Sequence, residues 1–127
     1  MAKYYRQNPP YLAYSPSTVT PLEGTPVYVN YGRLEDYDHL SELKINVSGH
    51  IVIARYAKIF RANIVRNAQN MGAIGVIIYS DPYDYTDGNV NNTYPNSIYL
   101  PPSGVQRGTI QMGDGDPQTP IYPSIST

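Results

Sequence analysis

The sequence predicts a mixed α/β fold. Two β-rich apolar runs, Ile51-Val52-Ile53-Ala54-Arg55-Tyr56 and Gly75-Val76-Ile77-Ile78-Tyr79, flank a stripe of apolar residues at helical spacing. Strand, helix and strand in that order make a βαβ unit, with parallel strands and a right-handed crossover. The third observation is compositional: 10 Gly and 12 Pro, with only 15% charged residues, favour turns, loops and sheet edges over a helical bundle. A chain of 127 residues holds one domain, 1–127, with a modest core.

Residues 1–24 read as an extended N-terminal arm, because Pro9, Pro10, Pro16 and Pro21 forbid a helix and deny donors to a central strand. Thr25 to Tyr31 then alternates, with Val27, Val29 and Tyr31 on one side and Tyr28 and Asn30 on the other, as a half-buried strand does. After Gly32, Leu34, Tyr37, Leu40 and Leu43 recur at helical spacing. Glu35, Asp36 and Asp38 near the start and Lys44 at the end suit the helix dipole. The run from Ile51 alternates little and is expected to be covered on both faces. Ile64, Val65, Ala68 and Met71 form the stripe of a second helix, and Gly72 stops it. From Asp81 to Asn96 the pattern is that of a loop, Thr109 to Met112 is a short strand, and Asp114 to Thr127 is loop-like.

Composition also excludes chemistry. With no Cys and two His, His39 and His50, the chain lacks thiolate sites, a Cys nucleophile and the ligands of a self-contained zinc centre. A net charge of −1 gives no electrostatic footprint for nucleic acid or anionic membrane. The stretch from Ala73 to Tyr79 is too short to span a bilayer, and no apolar segment behind Met1 to Arg6 marks a secretory signal. Fourteen Tyr against one Phe and no Trp fit a small, wet core, or surfaces that a partner half covers.

Few constellations survive as sites. Asp38 and His39 are adjacent on a helix and diverge, so with Asp36 they form a solvated face. Asp81, Asp84 and Asp87, and Asp114-Gly115-Asp116, lack the spacing of a calcium loop and read as turns. No Gly-x-Ser-x-Gly elbow and no base for a nucleophile occur. Gly104-Val105-Gln106-Arg107-Gly108 lacks the P-loop ending and reads as a tight turn carrying one Arg. Arg61, at the strand-to-helix junction after Ile59-Phe60, admits two readings: a surface Arg, or a guanidinium that helps free helix N–H groups hold an anion. Asn46-Val47-Ser48 and Asn91-Asn92-Thr93 are glycosylation sequons in turn-like segments.

Read together, Val27 to Tyr31, Ile45 to Tyr56, Lys58-Ile59-Phe60-Arg61, Tyr79-Ser80-Asp81-Pro82, Gly104 to Gly108 and Gly115 to Pro123 resemble, in order, the protease-associated (PA) domain of the glutamate carboxypeptidase II and transferrin receptor family. The resemblance implies a swivelling β/β/α fold packed against a zinc-dependent exopeptidase domain on the extracellular side of a type II membrane protein, with this segment itself soluble. It implies a substrate-cavity lid in which Arg61 pairs with the C-terminal carboxylate of a peptide substrate and Phe60 lies beside it. After Gly108 the glutamate carboxypeptidases carry an Asn that lines the pocket for C-terminal glutamate, where this chain has the shorter Thr109.

The resemblance further implies that Thr119 and Tyr122 give oxygens to a calcium shared with the peptidase domain, which itself holds two zinc ions, and that the parent is a homodimer. Asn46 falls where family members are glycosylated, and Asn91 is the second acceptor. The 127 residues leave no room for peptidase and dimerisation domains, so this stretch is expected to be non-catalytic, with no cofactor of its own. The alternative within the family is a receptor-like interaction module, as in transferrin receptors, whose neighbouring domain has lost its zinc.

Overall fold

In the computed structural model, residues 9–115 are described. Their centre is a three-stranded parallel sheet in the order β2-β3-β4: β2 is Pro26–Tyr28, β3 is Ile51–Arg55 and β4 is Gly75–Tyr79. Helix α1, Leu34–Glu42, connects β2 to β3, and α2, Arg61–Asn70, connects β3 to β4. A short helix α3, Pro82–Tyr85, follows β4. A second, two-stranded parallel sheet pairs β1, Leu12–Ala13, with β5, Gly108–Thr109. The mixed α/β fold and its βαβ unit are therefore as the sequence predicts.

The core sits where α1 and α2 cover one face of the three-stranded sheet. Val52 and Ala54 of β3 are fully buried against Tyr37 of α1 and Ile64 and Ala68 of α2, with Val29 and Val47 completing the cluster. Fully burying a Val or Ile side chain contributes roughly 1.5–3 kcal/mol, so these few residues carry much of the fold. The β3 strand does not meet the expectation of equal cover on both faces: Ile51, Ile53 and Arg55 are only half-buried. The helices lie on one side only, and the other carries the exposed Tyr28 and Ile77.

Element ends have local causes. Asn30 takes φ 51° and Gly32 φ 67°, so the chain leaves β2 earlier than Tyr31, although Val29 N–H still donates to Ile53 O at 2.9 Å. Of the α1 stripe only Tyr37 and Leu40 pack inward, while Leu34 and Leu43 are exposed. Met71, expected in the stripe of α2, lies just past the end of that helix and is likewise exposed. Its place is taken by Asn67, buried because its amide donates to Gly32 O at 2.9 Å. Gly72 ends that helix with φ 81°.

Two segments expected to be irregular are ordered. Asp81 caps α3 by accepting from Tyr83 N–H at 3.0 Å, with Pro82 in the first helical position. The extended arm contributes β1, whose partner β5 lies far along the chain and covers less than the expected Thr109 to Met112. No helix among the described residues is long and apolar enough to cross a membrane.

Candidate anion-binding site

The parallel sheet directs its carboxyl ends to one edge, where open α/β sheets place their ligand sites. Beyond the end of β3 the chain runs through Tyr56, Ala57, Lys58, Ile59 and Phe60 into α2. These residues, with Arg61, Tyr85 and Gln106, line an open depression of about 300 Å³. Ala57 holds φ 113° there, a conformation that a residue with a Cβ rarely adopts.

Arg61 is the first residue of α2, where a cation opposes the helix dipole. The first turn of α2 contains no acidic residue, and its N-cap, Phe60, supplies no side-chain acceptor. Arg61 forms no hydrogen bond or ion pair within the described residues, and its Nε is buried without a partner. Its guanidinium carbon lies 5.8 Å from the ring centres of both Tyr56 and Phe60. Tyr56 is buried and Phe60 is 46% exposed, so one ring backs the guanidinium and the other stands at the mouth. The guanidinium also lies against the backbone of Gly108 in β5. The far wall is tied by Gln106, whose amide donates to Ser80 Oγ at 2.7 Å and to Tyr85 Oη at 2.6 Å.

A second group of cations lies nearby, gathered on the ring of Tyr31. Tyr31 is buried under Arg55, Arg33 and Lys58, whose charged ends sit 4.1, 5.2 and 5.6 Å from its ring centre. The Tyr31 hydroxyl donates to Asp84 Oδ1 at 2.6 Å, a bond that, with burial, raises its pKa above the usual tyrosine value. Arg55 Nη1 pairs with Asp84 at 3.4 Å and Asp81 at 3.6 Å, and Arg55 Nε donates to Asn30 Oδ1 at 3.0 Å. Asn30 in turn donates to Asp36 Oδ1 at 2.8 Å, and Arg33 Nε donates to Asp36 Oδ2 at 3.1 Å. Burial pushes the Asp36 pKa up, but hydrogen bonds from Arg33 and Asn30 outweigh it and hold the carboxyl below its ordinary value.

Of the residues singled out by sequence, Arg61 and Phe60 meet at the depression. Thr109 does not line it: it follows Gly108 in β5, and its Oγ1 accepts from Gln111 N–H at 3.0 Å. Asn46 and Asn91 are both exposed, Asn46 two residues before the turn at Ser48-Gly49 and Asn91 within a turn. Thr119 and Tyr122 lie outside the described residues. Among those residues no three His, Asp or Glu side chains converge so as to hold a metal ion. Sequence reasoning missed Tyr56, Tyr85 and Gln106 as wall residues. Gln106 sits in the Gly-flanked segment already noted, which was the available signal.

A model of the PA domain family matches residues 12–112. The chain belongs to the PA domain family. As a PA domain it is 44% identical over 117 residues to the mouse aminopeptidase NAALADL1, covering 91% of this chain and 15% of that protein. It is 41% identical to a glutamate carboxypeptidase 2 homolog of Caenorhabditis elegans, over 77% of this chain and 13% of the relative. It is 49% identical to the probable glutamate carboxypeptidase LAMP1 of Arabidopsis thaliana, over 82% of this chain and 15% of the relative. The PA domain thus spans about a seventh of the length of these peptidase relatives, and the domain they share is of the glutamate carboxypeptidase type.

Proposed function

We propose that this PA domain recognises the C-terminal carboxylate of a peptide substrate for a zinc exopeptidase of the glutamate carboxypeptidase type, and that it forms one wall of that enzyme's substrate cavity. The observation that carries the proposal is the unpartnered Arg61. A guanidinium with a buried nitrogen and no acceptor is costly, and a ligand carboxylate would relieve that cost. The planar guanidinium takes a carboxylate through two parallel hydrogen bonds. The uncapped start of α2 adds N–H groups and the positive end of a helix dipole. The buried Tyr56 ring backs the guanidinium with apolar surface, which strengthens the pairing.

On this proposal the domain binds and orients, and performs no bond-breaking step. Hydrolysis would belong to a separate peptidase domain that holds the zinc ions, and Thr119 and Tyr122 would give oxygens to a calcium shared with it. The peptidase names of the relatives support this against a receptor-like module. The test is Arg61→Leu in the full-length protein, assayed on an N-acylated dipeptide with a free C-terminal glutamate and on its C-terminal amide. A lost charge pair of this kind costs roughly 2–5 kcal/mol, so kcat/KM for the free acid falls by roughly 30-fold to several thousandfold while the amide is unaffected. An unchanged ratio of acid to amide rejects the proposal.

A further inference from the structure

Gly108 does not owe its identity to backbone conformation. It lies in β5 with no left-handed φ, whereas Gly32, Gly49, Gly72, Gly88 and Gly115 all take positive φ. What it lacks is room. A Cβ at Gly108 would stand 2.7 Å from Cζ of Arg61 and closer still to Nη1, separations that real Cβ contacts essentially never show, and 3.2 Å from Nε, which is tighter than most. Glycine inside a strand often marks such a close approach.

The strand carrying Gly108 is held from both sides. Leu12 and Ala13 pair with Gly108 and Thr109 in β1 and β5. Two residues before Gly108, the Gln106 amide ties the segment to Ser80 after β4 and to Tyr85 at the end of α3. Tyr85 follows Asp84, which is fixed by Tyr31 and Arg55. The polar network around Tyr31 is therefore continuous, through α3 and Gln106, with the surface on which the Arg61 guanidinium lies.

We propose that Gly108 and Gln106 are positioning residues for Arg61: the bare Gly108 backbone seats the guanidinium, and the Gln106 amide fixes that seat. The inference rests on the carboxylate-binding role of Arg61 and adds the residues that set its depth. Gly108→Ala moves the guanidinium outward by adding one methyl group. Because the clashing atoms are the far end of a flexible side chain, the fold accommodates the change and the site does not. Gln106→Leu loosens the seat without adding an atom to Gly108, the residue under the guanidinium.

The test uses the full-length protein and the same acid and amide substrates. Gly108→Ala is expected to lower kcat/KM for the free acid by about tenfold to a hundredfold, as a displacement of roughly 1 Å does. The loss appears in KM with kcat nearly retained, and amide turnover does not change. In an Arg61→Leu background Gly108→Ala adds no further loss, and Gln106→Leu gives the same non-additive pattern. Additive losses, or equal losses on acid and amide, overturn the positioning role and leave that of Arg61 standing. If Arg61→Leu alone leaves the acid-to-amide ratio unchanged, the carboxylate reading itself fails, and the positioning role falls with it. Should Gly108→Ala not fold, Gln106→Leu alone decides between these outcomes.

Discussion

The two main helices begin in opposite ways. At the start of α1, Asp36 reaches back to Arg33 N–H at 3.0 Å and also takes bonds from the Arg33 and Asn30 side chains, so charge and dipole agree. At the start of α2 there is no acid and no cap, and the residue placed there is Arg61, half-buried and without an acceptor. Local rules are obeyed at the first helix and broken at the second. The broken rule falls at a concave edge of the sheet, beside Ala57 with its φ of 113°, where the proposed carboxylate site lies.

If that contrast holds, damage to the satisfied region shows first in stability. Arg55→Leu leaves Asp84, whose side chain is 6% exposed, without its cation. Breaking such a pair is expected to cost about 3 kcal/mol in denaturant unfolding. Next, Asp36→Ala removes the cap of α1 and strands Asn30 and Arg33, for about 2 kcal/mol by the same measurement. Because the Asp36 pKa is depressed in the folded chain, its contribution is whole above the unfolded carboxylate value of roughly 4 and is lost as pH falls below that. Acid unfolding of Asp36→Ala should therefore be less steep than that of the parent chain.

The smallest effect is expected at Tyr31. Its raised pKa means that the folded chain keeps the phenolic proton after the unfolded chain has released it. That stability is whole below about pH 10 and falls as pH rises through the folded value. Tyr31→Phe destabilises the chain at neutral pH and flattens this alkaline decline, which unfolding measured from pH 8 to 11 would reveal. An equal decline in both proteins would place the titration elsewhere.

The sequence was most legible where the cause is local. β4 follows the apolar run from Gly75 to Tyr79, and Gly72 ends α2 because its φ requires glycine. The β1 to β5 pairing was not legible, since nothing near Leu12 announces a partner some hundred residues away. α3 was missed because Asp81-Pro82 reads as a loop dipeptide as readily as a cap followed by a first helical turn. At the depression, Arg61 was singled out by position, and Arg61 and Phe60 together by family resemblance. Tyr85 and Gln106 reach the depression only through the fold, and Thr109, named on resemblance, turns to its own strand end.

The measurement that bears most directly on the contrast sets Arg55→Leu beside Arg61→Leu, reading for each the unfolding free energy and the acid-to-amide ratio of kcat/KM in the full-length protein. Arg61→Leu should leave stability equal to or above that of the parent while the ratio collapses, because it removes a charge the fold itself does not pair. Arg55→Leu should do the reverse. If Arg61→Leu destabilises the protein as much as Arg55→Leu and leaves the ratio intact, Arg61 is a structural residue and the account is wrong.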